Sequence, residues 1–283
     1  MRGADSYIVT VDVGNTSTRF GLFETETAAA ATCPFRTWEI TTPDRLTTDE
    51  ARMHVAQVLD MLGADTGISG HLRPEAAVLS CVVPTLEAAW TVALRSSVTG
   101  KVFSVGPGLK TGMRMRYDDP SEIGPDRIAD ALAAREVYGA PCVVVDLGTT
   151  TNIEVVDGEG SFAGGIIAPG LALGARSLSA AAARLPMVEL RAPASVIGKS
   201  TRDAMRSGVV FGEVARIDGM LDMVLAEMRA TGAAGDSPVP IVITGSRASE
   251  MAALLRHDLT PDDALTLRGL AELYRLNRKP RRA

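Results

Sequence analysis

The sequence predicts an α/β chain built as two similar domains, on three observations. Short β-rich runs alternate with helix-period segments along the 283 residues. One pattern, a strand ending in Asp-x-Gly, a small polar turn and a second strand, occurs twice, as IVTVDVGNTSTRFGLF and as CVVVDLGTTTNIEVVD. Self-similarity at domain spacing is the mark of a duplicated architecture. Between the copies, residues 106–124 hold four glycines and two prolines with little periodicity, which places a domain boundary at 120/121. The predicted domains are therefore 1–120, with the first turn, and 121–283, with the second.

The elements follow in order. Tyr7–Val13 is a β-rich run, Gly-Asn-Thr turns the chain, Arg19–Phe23 is a second strand and Thr37–Thr41 a third. Val55, Val58, Leu59 and Leu62 share one face of a helix over Glu50–Leu62. Ala77–Val83 is a buried strand ending at Pro84, and Leu86–Leu94 is helical. Past the break come a helix at Asp126–Val137, strands at Val143–Asp146, Ile153–Val156 and Phe162–Ile167, and a small-residue helix over Gly170–Ala183. A long helix covers Thr201–Arg229. Val210, Val214, Ile217, Leu221, Val224 and Met228 form one apolar stripe along it. Gly208 and Gly212 allow close packing there, and a dimer seam is the sharper reading. Thr231–Pro240 is a loop, Ile241–Thr244 a strand entering a Gly-Ser turn, and a short helix follows. The basic tail Arg275–Arg282 reads as a solvated end.

Composition narrows the function classes. A chain 46% apolar and 22% charged is ordinary for a globular protein, and a net charge of −5 offers no field for nucleic acid or acidic membranes. The apolar run near the N-terminus is broken by Asp12 and is too short for a signal peptide or a span, so the expected location is the cytoplasm. Cys33, Cys81 and Cys142 have neither metal-finger nor redox spacing; Cys81 and Cys142 read as small buried hydrophobes. His54, His71 and His257 read as isolated surface residues.

The repeated turns carry the chemistry. Glycine lets a backbone approach an anion with no Cβ in the way. Asn15, Thr16, Ser17 and Thr18 add side-chain donors around Gly14; Thr149, Thr150 and Thr151 do so around Gly148. Donors curved about one point form a nest for phosphate. Asp12 and Asp146 would repel that phosphate unless a cation intervenes, so Asp12 points to Mg²⁺, directly or through water, and Asp146 to a metal as well. One Asp-x-Gly turn alone is ordinary turn chemistry; two in matched contexts favour a nucleotide. Further along, Pro125 suits a first helical position, which sets Asp126 in the first turn. An ionised carboxylate there can accept the proton of an attacking hydroxyl, and Arg127 can pair with a carboxylate or phosphate. Taken alone, the segment reads more readily as a stabilised helix start with a solvated arginine.

The segments DVGNTSTR, SCVVP, VGPGLKTGMRMRYDDPSEIGPDR, DLGTTT, GGIIAPGL, RLPMVEL, VIGKSTRDAMRSGVVFGEVARIDGM and ITGS occur in this order. The chain thereby resembles the type III pantothenate kinases from about Tyr7 to Leu276. The resemblance implies two ribonuclease-H-like (actin-like ATPase) domains with a nucleotide cleft between them. It implies transfer of the ATP γ-phosphoryl group to pantothenate, the first step toward coenzyme A, by a homodimer using Mg²⁺ and a monovalent cation, K⁺ or NH₄⁺. Carried over by position, Asp12, Val13, Gly14, Asn15, Thr16, Ser17, Thr18 and Arg19 match the ATP phosphate loop and Thr149 a second ATP contact. Asp126 matches the general base, and Tyr117, Gly124, Pro125, Asp126 and Arg127 the pantothenate contacts. Asp146 matches the monovalent-cation ligand. The stripe to Met228 then becomes the dimer helix. Some positions depart from the family pattern. Ala182 stands where a threonine usually holds pantothenate, Asn152 replaces a threonine, Thr150 an alanine, Glu154 an aspartate, Asp130 an asparagine and Ser246 a glycine. Those at Ala182 and Asn152 motivate a second reading, a nucleotide- or pantothenate-binding regulator; a kinase for another small hydroxyl compound is a third.

Overall fold

The structure, a computed structural model, describes residues 7–66, 72–182, 184–235 and 238–279. It falls into two compact units, Met1–Val137 with Ala264–Ala283, and Tyr138–Asp263.

The first unit contains β1 (Tyr7–Val13), β2 (Ser17–Glu24), β3 (Arg36–Thr41), α1 (Thr48–Thr66), β4 (Ala76–Cys81), α2 (Pro84–Ser97), β5 (Val102–Ser104) and α3 (Pro125–Tyr138). Its sheet has the order β3-β2-β1-β4-β5, with β1, β2 and β3 antiparallel and β1, β4 and β5 parallel. Strand alternation sends Tyr7, Val9, Val11 and Val13 to one face, where they pack with Val55 and Leu62 of α1 and Trp90 and Leu94 of α2. Ile8 faces the other way, onto Ala129 and Leu132 of α3. Asp12 lies in the same alternate set as Ile8 and Thr10, so the strand period turns its carboxylate to the side that carries α3. Helix α1 begins before the expected Glu50 because Thr47 and Glu50 form a reciprocal capping box, with Thr47 N–H donating to Glu50 at 2.8 Å and Glu50 N–H to the Thr47 hydroxyl at 3.3 Å.

The second unit contains β6 (Cys142–Leu147), β7 (Thr150–Val156), β8 (Phe162–Pro169), α4 (Leu171–Ala181), α5 (Thr201–Arg206), a π-helical turn over Ser207–Phe211, α6 (Gly212–Ala230), β9 (Ile241–Gly245), α7 (Ala248–Ala252) and β10 (Thr260–Pro261). Its sheet order, β10-β9-β6-β7-β8, is that of the first read from the opposite edge: β8, β7, β6, β9 and β10 correspond to β3, β2, β1, β4 and β5, with the same strand senses. Both sheets have the ribonuclease-H-like arrangement.

Several elements differ from the sequence expectation. The single helix over Thr201–Arg229 is interrupted by the π turn. Its stripe is not a seam: Ile217, Leu221 and Met228 are buried against Val143, Val145 and Ile243 of their own sheet. The residues expected to form a solvated tail are partly helical. Helix α8 (Leu265–Asn277) packs Leu267, Leu270, Leu273 and Tyr274 against the first sheet beside α3, and Arg278 donates to the Thr25 carbonyl at 2.9 Å; residues 280–282 of that tail lie outside the described residues. The glycine- and proline-rich break is likewise held to the first unit. Arg135 of α3 donates to the Gly112 carbonyl at 2.8 Å, and Asn277 of α8 bonds both backbone groups of Lys110 at 3.0 and 2.8 Å. The units therefore divide near residue 137, with α8 returning to the first, instead of at 120/121.

Cys142 is buried, Cys81 half-buried and Cys33 exposed. His54 is half-buried, its ring centroid 6.3 Å from that of Trp90. His257 is not isolated: its ring nitrogens lie 2.9 and 3.1 Å from the carboxylates of Asp218 and Asp222. His71 lies outside the described residues. Among the described residues no helix is long and apolar enough to cross a membrane.

A methyl group on Gly269 of α8 would stand 1.9 Å from the Ala129 carbonyl oxygen of α3, whereas one on Gly219 of α6 would meet nothing within 4 Å. Gly269→Ala should cost about 1–3 kcal/mol through overpacking. Gly219→Ala should be neutral or stabilise by up to about 1 kcal/mol through helix propensity. Urea denaturation of both variants measures the contrast; equal effects would contradict the close α3–α8 packing.

Candidate functional site

In the first unit the β1–β2 turn is closed by Gly14 N–H donating to the Ser17 carbonyl at 3.0 Å. A Cβ on Gly14 would stand 3.0 Å from that same oxygen. Asn15 and Thr16 are exposed at the tip and Ser17 is half-buried; the Thr16 carbonyl accepts from Thr42 N–H at 3.0 Å. Two residues of the expected phosphate loop face elsewhere. Val13 is fully buried in the core, and the buried Thr18 hydroxyl pairs with Thr42 at 2.8 Å. Val13 can contribute only backbone, and Thr18 braces β2 against the chain after β3.

Asp12 pairs in register with Arg19 on β2 and with Ser80 on β4. The Ser80 hydroxyl donates to its Oδ1 at 2.8 Å. Burial, and next the negative charge of Asp126, push the Asp12 carboxyl up to about 7, while Ser80 and Arg19 draw it down. Asp126, in the first turn of α3, is thus electrostatically coupled to a strand residue far away in sequence. Its own carboxyl is raised by burial, against the opposing pull of the Arg127 N–H, which donates to Oδ1 at 2.8 Å, and of the Arg127 guanidinium. A Cβ at Gly124 would stand 2.4 Å from Asp126 Oδ1, so glycine is what lets the chain enter α3 past this carboxylate. Arg127 is buried, not solvated, and so is Asp130 one turn on. Tyr117 and Pro125 are half-buried nearby in sequence, the Tyr117 segment running into a short 3₁₀ turn whose first N–H groups Asp119 caps at 2.9 Å.

In the second unit Gly148 N–H donates to the Thr150 carbonyl at 2.9 Å, closing a turn shorter than the first, where Gly14 reaches Ser17. The Thr149 carbonyl accepts from Gly170 N–H at 3.0 Å. A Cβ at Gly170 would fall 2.4 Å from the Gly148 carbonyl oxygen, so this glycine sets the start of α4 directly against the turn. That helix start is a second source of N–H donors beside the turn, which the sequence pattern did not reveal. Thr151 does not face a ligand: its hydroxyl donates to the buried Glu213 at 2.6 Å. Asp146 pairs in register with Asn152 and Thr244. Ala182 caps the C-terminus of α4, and Ser179, the nearest candidate to replace a missing hydroxyl there, donates to the Pro186 carbonyl at 3.1 Å.

The residues fit a divalent cation at Asp12. Two half-buried, mutually repelling carboxylates are stabilised by positive charge.

Comparison with known proteins gives consistent relationships. A sequence model of the type III pantothenate kinases matches residues 8–223. A type III pantothenate kinase of Koribacter versatilis is 34% identical over 274 residues, 95% of this chain and 96% of that protein. One from Thermobifida fusca is 37% identical over 272 residues, 95% and 99% of the two. The crystal structure of a conserved putative Baf family transcriptional activator from Campylobacter jejuni aligns with a TM-score of 0.55 at 17% identity, covering 95% of this chain and 98% of that one; this likeness concerns the fold.

Because the Asp12 carboxyl rises from 3.8 to about 7 on folding, folding takes up a proton across that window. The stability this group confers is complete below pH 4 and is lost as pH rises through 7. Asp12→Asn should remove this part of the slope, so that the variant gains in urea midpoint relative to the wild type between pH 5 and pH 8. Parallel profiles would show that Asp12 titrates normally.

Proposed function

Because the chain belongs to the type III pantothenate kinase family, we infer that it transfers the γ-phosphoryl group of ATP to the primary hydroxyl of pantothenate, the first step toward coenzyme A. The observation that carries this reading beyond kinship is the electrostatic effect of Asp126 on Asp12, two half-buried carboxylates of one unit, the charge of the first raising the second.

Their roles follow from their surroundings. The exposed turn from Gly14 to Ser17 presents backbone and side-chain donors to the phosphates, and Arg19 adds positive charge beside Asp12. Asp12 holds a divalent cation, which when bound neutralises the charge that spreads over the phosphate oxygens. Positive charge beside Asp12 also relieves its repulsion of Asp126, leaving that carboxylate ionised. Asp126 then takes the proton of the pantothenate hydroxyl. The new bond forms between that oxygen and Pγ; the bond from Pγ to the β–γ bridging oxygen breaks, and its electron pair leaves with ADP. A raised carboxyl suits this work, being a stronger base than an ordinary aspartate. Tyr117, Gly124, Pro125 and Arg127 bound the same segment and hold pantothenate, with Ala182 at the substrate position of the second unit. Thr149 makes a further ATP contact, and Asp146 binds a monovalent cation. The enzyme works as a homodimer in the cytoplasm; since the α6 stripe is occupied by its own sheet, the dimer uses another surface, and sedimentation of the purified protein as a monomer would overturn it.

Asp126→Asn keeps the shape and removes the base. In a coupled assay it should lower kcat by about 10²–10⁴-fold with KM for ATP nearly unchanged. If the wild type binds ATP yet transfers no phosphoryl group to pantothenate above this variant, the regulator reading takes its place.

A further inference from the structure

Helix α6 lays an apolar stripe on the second sheet, and that stripe begins with an acid. Glu213, Ile217 and Leu221 step by four residues and are 5%, 1% and 0% exposed. Packing alone would favour an apolar side chain at 213, since a carboxylate taken out of water must be paired to be tolerated. Both of its oxygens are engaged. Glu213 Oε1 accepts the Thr151 hydroxyl at 2.6 Å, and Oε2 pairs with the Arg216 guanidinium one turn along α6. The same Arg216 nitrogen, Nη2, donates to the Pro169 carbonyl.

These bonds reach both strands beside the second Asp-x-Gly turn. Thr151 lies on β7 directly after Thr150, and Pro169 ends β8 as the register partner of Thr150. The next residue, Gly170, donates its N–H to the Thr149 carbonyl at 3.0 Å. A circuit thereby closes. It runs along the chain from Thr149 to Thr151, through Glu213 and Arg216 to Pro169, and from Gly170 back to Thr149. All of these residues belong to the second unit. In the first unit the equivalent threonine, Thr18, is also turned away from the tip, to the Thr42 hydroxyl at 2.8 Å. The brace there is a pair of neutral hydroxyls; here it is charged. A buried ion pair adds little net stability over apolar residues of similar size, which need no desolvation. What it adds is direction, because each bond fixes one strand end against the helix.

We propose that Glu213 and Arg216 are positioning residues for the nucleotide, holding the second turn and its Thr149 in the shape that meets the phosphates. The proposal rests on the reading of Thr149 as an ATP contact. The action is indirect: the brace removes freedom that the turn would otherwise lose on binding.

The test replaces the polar brace by an apolar one, combining Thr151→Val, Glu213→Met and Arg216→Met. Calorimetry measures binding of a non-hydrolysable ATP analogue with Mg²⁺, thermal melting gives the midpoint, and a coupled assay gives KM and kcat. The triple variant is expected to match or exceed the wild-type midpoint, yet to bind the analogue about tenfold more weakly. KM for ATP should rise by a like factor with kcat nearly unchanged. Thr151→Ser should bind as the wild type, because its hydroxyl still reaches Glu213. A role in folding alone gives the reverse, a lower midpoint with unchanged affinity, and that result overturns the proposal. If the triple variant binds as the wild type while Thr149→Ala loses affinity, the proposal fails and the reading of Thr149 stands. If both bind as the wild type, or the wild type does not bind at all, both fail. Should the triple variant not fold, Thr151→Val against Thr151→Ser decides: equal affinities overturn the proposal, and a loss confined to valine supports it.

Discussion

A carboxylate held at the end of a central strand, on a face that is packed, is the constraint from which the rest of this structure follows. Burial disfavours its charge, and the sheet leaves it little freedom to turn toward water. In the first unit the strand period fixes the face, and that face carries α3, so Asp12 meets the repulsion of Asp126. The hydrogen bond from Ser80 and the charge of Arg19 answer that repulsion only in part. Positive charge beside Asp12 would therefore be stabilising, and under the proposed function the nucleotide's cation supplies it. The same burial that makes Asp12 costly makes Asp126 basic. Binding and proton transfer draw on one electrostatic arrangement, with the roles of the two acids set by what stands beside each.

The duplication sharpens this point. Both copies keep the sheet order, the Asp-x-Gly turn and the backbone bond across it, from Gly14 to Ser17 and from Gly148 to Thr150. The copies diverge at the residues paired with the aspartate. Register makes those positions the nearest neighbours of the carboxylate, so changing them alters its chemistry with no change in topology. Arginine stands beside the acid in one copy and asparagine in the other.

The central strands, both turns and the major helices were legible because each carries a local signal: period-two alternation with a glycine turn, or an apolar stripe. What was hidden depends on distant partners. Helix α8 has an apolar stripe, but its polar residues from Leu265 to Tyr274 are buried as well, and its charged residues are satisfied far away, Glu272 accepting from Ala30 N–H at 3.2 Å and Arg268 donating to the Ala30 carbonyl. Strands β5 and β10, three and two residues long, are too short for a pattern to form. The α6 stripe was read correctly as apolar, but periodicity does not say which surface covers it. At the site, residue types showed which groups could serve. They did not show that the Thr18 and Thr151 hydroxyls are already taken, or that Gly170 brings a helix start to the second turn.

The departures from the family pattern fall unevenly, and their placement bears on what they do. Asp12, Asp126 and the proposed pantothenate contacts Tyr117, Gly124, Pro125 and Arg127 belong to the first compact unit, which carries one departure, Asp130, whereas Thr150, Asn152, Glu154, Ala182 and Ser246 belong to the second. The groups proposed to move the proton and hold the divalent cation, Asp126 and Asp12, are thus both present within one folded unit. A fold alone could not have supported that conclusion, since the same architecture serves a protein named as a transcriptional activator. Ser179, already bonded to Pro186, is not free to donate a hydroxyl in place of the one missing at Ala182. A lost contact there weakens the grip on substrate and leaves the base untouched, so its cost belongs in KM rather than in the chemical step.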